Sequence, residues 1–269
     1  MTSKILYSDL DGTMVGPGGC FVLDAARATT LEPAAALVAL HDAGVAVSLV
    51  SGRTRAQLQE AARIFGADGF VAEMGAIIGW DHGRRSTTLT GDAPPEFAGP
   101  LVAQLESVGL VDALLAEYDG RIEHHAPWHL GHETDVMMHG NVDVEVVDKW
   151  LAGRGFGWLT LADNGRLRDT RMAGLDAPTH VYHLMARGIS KGRGVAADLA
   201  RRGLAASDAV AVGDSLSDLV MAPYVGRFFL VRNGVDVPEI RAAAEVLPNV
   251  TLCEGPLGAG WAEAARACR

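Results

Sequence analysis

The chain has little of what marks secreted, membrane-spanning or nucleic-acid-binding proteins. Cysteine is scarce: Cys20, Cys253 and Cys268 are the only three in 269 residues, and no two have metal-ligand spacing. So odd and sparse a count excludes a disulfide framework and fits reduced thiols in a reducing compartment. No stretch approaches the roughly 18 unbroken apolar residues that a membrane span requires. The opening residues, from Met1 to Ser8, contain no apolar core of signal-peptide length. These absences lead us to expect a cytoplasmic protein with no membrane partner. Positive charge is also short, with 23 Lys plus Arg against 33 Asp plus Glu and a formal net charge of −10. A chain so acidic lacks the basic face needed to release counterions, which excludes sequence-independent nucleic-acid binding. There is no internal repeat or low-complexity tract, and no signal for an oligomeric state.

What is present is apolar and ordered. Hydrophobic residues make up 49% of the chain and charged residues 21%, with a mean hydropathy of +0.15. Such a chain buries enough surface to offset its ordering entropy. At about 150 residues per domain, the length suggests one large domain or two modest ones. The first third alternates buried strands with amphipathic helices. Strands are expected at Ile5 to Ser8, Val45 to Val50 and Gly69 to Ala72, and helices from Glu32-Pro33 toward Gly44 and from Arg55 to Ile64. The last third resumes this rhythm. A helix from Gly192 to Arg202 closes at Gly203, and strands follow at Ala209 to Val212 and Phe228 to Val231. Ser215 to Met221 and the tail from Leu257 read as helices. This alternation predicts an α/β core, a Rossmann-like doubly wound parallel sheet.

The middle differs. Between about Trp80 and Gly188 polar and apolar residues alternate, as in Thr134 to His139 and His180 to Met185, with a candidate helix over Val142 to Ala152. That pattern predicts antiparallel strands with one wet face, an inserted α+β unit. The expected division is residues 1–80 and 189–269 as the core and 81–188 as the insert.

Three strand ends carry the chemistry. Asp9-Leu10-Asp11-Gly12-Thr13 follows the first strand, and an extended backbone would point both carboxylates to one side. By itself Asp-Gly also reads as an ordinary turn. The second strand runs into Ser51-Gly52-Arg53, a hydroxyl and backbone N–H groups at a helix start, which suit an anion. The strand at Ala209 runs into Gly213-Asp214, with Asp218 a helical turn later, and Lys191 stands where the preceding helix begins. In open α/β sheets ligands bind at the carboxyl ends of strands. Four carboxylates brought together repel one another unless cations compensate. Lys191 supplies one charge. A hard divalent cation such as Mg2+, which takes a few carboxylates together with water and phosphate, would supply two. The chemistry that these groups suit best is phosphoryl transfer.

These residues resemble the four motifs of the haloacid dehalogenase superfamily: Asp9-x-Asp11-Gly12-Thr13, Ser51-Gly52-Arg53, Lys191, and Gly213-Asp214-x-x-x-Asp218, in the family's order. The resemblance implies that Asp9 is a nucleophile forming an aspartyl-phosphate, and Asp11 the general acid and then base. It implies that Ser51, Gly52 and Lys191 hold the phosphate, and that Asp9, the Asp11 backbone carbonyl and Asp214 bind Mg2+. Asp218 supports Lys191 or a metal-bound water. Arg53 either reaches the substrate or pairs with an acid beside the sheet. The second acid, Asp11, separates phosphatases from the family's dehalogenases. Too few residues lie between Thr13 and Leu31 for a cap there, whereas Ser51 to Lys191 spans enough for one. This placement resembles the C2-type cap of subgroup IIB, which includes Cof-type, sucrose-phosphate and mannosyl-3-phosphoglycerate phosphatases. Glu73-Met74-Gly75-Ala76 is similar to that subgroup's Glu-Asn-Gly-Ala turn with Met74 in place of Asn, and Ser217 stands where many members carry Asn. The implied activity is a Mg2+-dependent phosphomonoesterase on a small phosphorylated metabolite, a sugar phosphate or glycosyl-phosphoglycerate. The alternatives are a hexose phosphomutase and a non-catalytic phospho-ligand binder.

Within the insert, His124, His125, His129, His132 and His139 cluster in sequence, without a recognised metal-ligand spacing. They read as a solvated strand edge, or else as a metal site or a polar wall contacting sugar hydroxyls. Arg121 with Glu123 suggests a cross-strand pair. Arg84, Arg85, Arg166, Arg168 and Arg171 read as solvated charges or a second anion contact. Trp128 and Trp158 read as core or a sugar-stacking face.

Overall fold

A computed structural model describes residues 3–167 and 171–269. The chain divides into two compact units, residues 1–88 with 190–269, and residues 89–189. In chain order the first unit begins with β1 (Ile5–Ser8), α1 (Glu32–Asp42), β2 (Ala46–Val50), α2 (Arg55–Phe65), β3 (Gly69–Ala72), β4 (Ile77–Trp80) and β5 (Arg85–Thr88). The second unit holds α3 (Leu101–Ser107), α4 (Leu110–Glu117), β6 (Ile122–His124), β7 (Asp135–Gly140), α5 (Val144–Gly153), β8 (Leu159–Arg166) and β9 (His180–Ala186). The first unit resumes with α6 (Lys191–Arg202), β10 (Ala209–Gly213), α7 (Leu216–Leu219), β11 (Arg227–Leu230), α8 (Arg232–Val235), α9 (Pro238–Glu245), β12 (Val250–Leu252) and α10 (Leu257–Ala267).

The first unit is built on an eight-stranded sheet in the order β12-β11-β10-β1-β2-β3-β4-β5. From β12 to β3 the neighbours are parallel, and β4 and β5 add an antiparallel edge. All four residues of β1 are buried, as its run of apolar side chains predicts for a central parallel strand. Because β1 lies between β10 and β2, the loops after these three strands converge where the strand order reverses, the usual ligand crevice of such sheets. β5 was not foreseen as part of this sheet: Arg85, Ser86, Thr87 and Thr88 are all exposed, so no buried face marks them. The helix starts are set by side chains. Thr54 and Gln57 form a reciprocal capping box at α2, and Ser190 accepts from the Arg193 N–H at α6.

The second unit is a four-stranded antiparallel sheet in the order β6-β7-β9-β8, as expected of the insert, but the expected wet face is not kept along β9, where Val181 to Ala186 are all buried. One face packs on α3, α4 and α5 through a core that includes Leu105, Leu114, Met138, Val147, Leu151 and Leu184. The period-2 alternation in β7 and β8 puts Val136, Met138, Leu159 and Leu161 on that face. The architecture is thus an α/β Rossmann-like core sheet with an inserted antiparallel cap sheet. Among the described residues no helix is long and apolar enough to cross a membrane.

Candidate active site

The site sits at the carboxyl ends of β1, β2 and β10. β1 ends at Ser8, and Asp9 follows with its N–H held by the Val212 carbonyl at 3.0 Å. The chain then turns: the N–H groups of Thr13 and Val15 both donate to the Leu10 carbonyl. The extended geometry expected for Asp9 and Asp11 therefore stops at the first of them, and their carboxylates meet different partners. Asp9 is 4% exposed and accepts from Lys191 Nζ at 2.9 Å. The Asp11 side chain is 52% exposed and takes a bidentate pair from Arg53, at 2.7 Å from Nε and 2.6 Å from Nη2. Of the two fates expected for Arg53, this structure shows the ion pair.

Lys191 is the first residue of α6, and it is buried between two acids. Its ammonium also donates to Asp218 Oδ1 at 2.5 Å. The second oxygen of Asp218 accepts the N–H groups of Asp214 and Ser215 and the Ser215 hydroxyl. Asp218 is therefore a fixed acceptor that aims Lys191 at Asp9. Burial disfavours the charged ammonium, but the adjacent Asp218 and Asp9 outweigh it and keep Lys191 protonated beyond the usual lysine range. Asp9 is raised well above the usual carboxylate range, first by burial and then by the charge of Asp218. Lys191 opposes that rise, and Asp214 adds to it.

Asp9, Asp214 and Asp218 each bring a carboxylate oxygen within 4.8 Å of the others. One ammonium among three acids leaves surplus negative charge, which adds to the effect of burial in raising Asp9. That donor set, all oxygen, fits a hard divalent cation. Asp214 accepts from Thr13 Oγ1 at 3.3 Å and from Asn233 Nδ2 at 3.0 Å. Gly12 makes the approach possible. Its φ is +85°, and a Cβ there would lie 2.5 Å from Asp214 Oδ2. The Asp11 carboxylate is not part of the acid cluster.

On the β2 side, Ser51 is buried and its Oγ accepts the Arg53 N–H at 3.2 Å, within the loop that leads into α2. Gly52 lies between them. The turn after β3 is strained: Glu73 and Met74 have φ of +49° and +57°, left-handed values that asparagine tolerates better than methionine.

Two features escaped the sequence reading. Asn233 lies just beyond β11, in α8 at a fourth strand end, and its Asn-Gly carries no signal in the sequence beyond that of a common turn dipeptide. Ser8 donates to the Asp9 carbonyl at 2.7 Å and accepts from the Trp261 indole at 2.8 Å, a chain buried under α10. Only the general expectation that a buried Trp N–H finds a partner could have pointed to it.

In the second unit, Asp135 is buried between the Nδ1 atoms of His132 and His183. Burial alone would raise this carboxyl, but His183 and His132 outweigh it and hold Asp135 below the usual range. Among the described residues, His124, His125, His129 and His139 do not assemble into a metal-ligand group. His124 stacks on His129, and His125 meets His139 edge-on. The expected Arg121–Glu123 pair does not form: Glu123 pairs with His139 at 3.0 Å across β6 and β7, and Arg121 lies over the Tyr118 ring. Trp158 packs on Phe97 and Phe156, whereas Trp128 is 57% exposed. Arg84, Arg85, Arg166 and Arg171 are exposed, and Arg168 lies outside the described residues.

Comparison with known proteins bears on this geometry. The family described as haloacid dehalogenase-like hydrolase matches residues 168–251. A phosphoglycolate phosphatase of Methanopyrus kandleri is 26% identical over 258 residues, covering 95% of this chain and 94% of the relative. Another, from Halobacterium salinarum, is 29% identical over 216 residues, covering 71% and 87%. These findings make the chain similar to haloacid dehalogenase-like hydrolases and, over nearly its whole length, to phosphoglycolate phosphatases. Solved structures show the same fold from end to end. A Thermoplasma acidophilum protein superposes with a TM-score of 0.66 at 15% identity, covering 100% of this chain and 99% of its own. The sucrose-phosphatase of Synechocystis, solved with sucrose and phosphate, superposes at 0.64 with 18% identity, covering 100% and 98%.

Proposed function

We propose that this chain is a Mg2+-dependent phosphomonoester hydrolase that acts through an aspartyl-phosphate on a small phosphorylated metabolite. The observation that carries the reading is the buried Asp9 carboxylate, gripped by Lys191 at the end of the central strand and clustered with Asp214 and Asp218. Asp9 attacks phosphorus, and the bond from phosphorus to the leaving oxygen breaks. Asp11 gives that oxygen a proton. Water then attacks the acyl phosphate, Asp11 takes its proton, and inorganic phosphate leaves with Asp9 restored. Lys191 holds the nucleophile and neutralises phosphate charge, and Ser51 with the Gly52 N–H seats the other oxygens. Asp9, Asp214 and the Asp11 carbonyl would hold Mg2+, which when bound supplies positive charge against the repulsion between two anions. An incoming phosphate competes with Asp11 for the Arg53 guanidinium fork, so substrate binding itself frees the acid for proton transfer.

The second unit, residues 81–188 in the sequence-based division, is the cap that selects the leaving group. Relatives alignable over nearly the whole chain are phosphoglycolate phosphatases, which puts a short phosphorylated carboxylate first among substrates. Sugar phosphates and glycosyl-phosphoglycerates follow by the subgroup resemblance. The test is phosphate release from a panel containing phosphoglycolate, hexose phosphates and phosphoglycerates, with Mg2+ or with excess chelator. Release that needs Mg2+ and concentrates on a few members supports the reading. Silence from folded protein across the panel, or release unaffected by chelator, refutes it.

A further inference from the structure

The carboxamide of Asn233 has three partners, and each fixes its orientation. Its Nδ2 donates to the Gly12 carbonyl at 2.8 Å and to Asp214 Oδ2 at 3.0 Å. Its Oδ1 accepts the Leu257 N–H at 2.9 Å. Rotating the amide by half a turn would set an oxygen against two oxygens and a donor against a donor, so the NH2 end must face the acid cluster. One side chain thereby joins the loop after β1, the loop after β10 and the start of α10. With Thr13 on the other oxygen, both oxygens of Asp214 receive a donor, which fixes the plane of that carboxylate.

Two further observations point the same way. A Cβ on Gly234 would lie 2.4 Å from the Asp214 carbonyl, so the chain next to Asn233 is pressed directly onto the Asp214 loop. Leu257, which supplies the third hydrogen bond, has φ of +50°, a conformation leucine rarely adopts. Strain of that kind persists where the surroundings over-determine it. Here the strained residue is the one whose N–H donates to Asn233.

We infer that Asn233 is a positioning residue for the divalent cation. It sets cation affinity by fixing the Asp214 carboxylate and the peptide that follows the Asp11 carbonyl. The inference rests on the proposed Mg2+ site, and it moves part of the control of that site to a segment, Arg232 to Leu257, that carries none of the four motifs. Hydrogen bonds that orient metal ligands are worth about 10–100-fold in metal affinity.

The test is Mn2+ binding followed by electron paramagnetic resonance, on wild type and Asn233→Ala, with no substrate present. Wild type should bind Mn2+, and the variant should bind it about 10–100-fold more weakly. If wild type binds no Mn2+, the proposed metal site fails and the inference falls with it. If wild type binds and the variant matches it within about twofold, far below the weakening expected of a lost orienting bond, the proposed site stands and the role of Asn233 is overturned. A second measurement needs no variant. In wild-type protein the Asn233 side-chain amide resonances should shift as Mg2+ is added. Unmoved amide resonances at a concentration where the Asp214 backbone signal has shifted to completion would overturn the role as well.

Discussion

Replacing Lys191 by methionine removes the one ammonium from the acid cluster while nearly preserving volume. Lys191, Asp9 and Asp218 have side chains 5%, 6% and 1% exposed, so water cannot replace the lost charge. Removing one partner of a buried ion pair costs about 3–5 kcal/mol. The two acids do not share the loss equally. Asp218 keeps two N–H donors and a hydroxyl on its other oxygen, whereas the only hydrogen bond to the Asp9 carboxylate described is that from Lys191. Asp9 is therefore the group that takes up a proton. Its folded-state pKa already lies above the unfolded value, so the native state binds more protons than the unfolded one between the two values, and stability falls as pH rises through that window. Without Lys191 the folded pKa climbs further and the window widens upward. At about 2–4 °C per kcal/mol for a domain of this size, the variant should melt roughly 6–20 °C below wild type near neutrality. That gap should narrow as pH falls from about 8 to about 5. Calorimetric melts in chelator, which keeps stray cations from standing in for the ammonium, measure it. Equal melting temperatures at neutral pH would refute the argument, as would a gap that widens on acidification.

Asp9→Asn should abolish phosphate release while leaving the melting temperature equal to or above that of wild type, because it removes an anion that burial and its neighbours disfavour. Residual turnover above a few per cent, on the order expected of an unaided site, would sink the covalent route. Trp261→Phe leaves the Ser8 hydroxyl without its buried donor and should lower stability by about 1–3 kcal/mol. A double-mutant cycle with Ser8→Ala should show coupling of at least about 0.5 kcal/mol; strict additivity would mean that the Trp261–Ser8–Asp9 chain does not act as a unit.

The strands and helices of the core were legible because each carries its own periodicity, and a parallel strand buried on both faces reads as an unbroken apolar run. β5 was not, because an exposed edge strand of Arg, Ser and Thr has no buried face to impose a pattern. Asp9, Ser51, Lys191, Asp214 and Asp218 could be singled out in the sequence because they stand at predicted strand ends and helix starts, where an open α/β sheet binds its ligands. The partners of those residues could not. The Lys191 ammonium meets Asp9 across 182 positions, Asn233 meets the Gly12 carbonyl across 221, and Trp261 meets Ser8 across 253. Periodicity is a local property of the chain, and it fixes which residues are buried but not what they touch. The fork between Arg53 and Asp11 shows the same limit at shorter range. The sequence left Arg53 two possible destinations, and the turn that begins at Leu10 decided between them by carrying Asp11 out of the strand. The sequence by itself determined an α/β core with an inserted unit and placed the acids and the lysine at its strand ends and helix starts. Only the tertiary structure decided which acid Lys191 neutralises and which side chains hold Asp214, since hydrogen bonds and ion pairs are made between elements that only folding brings together.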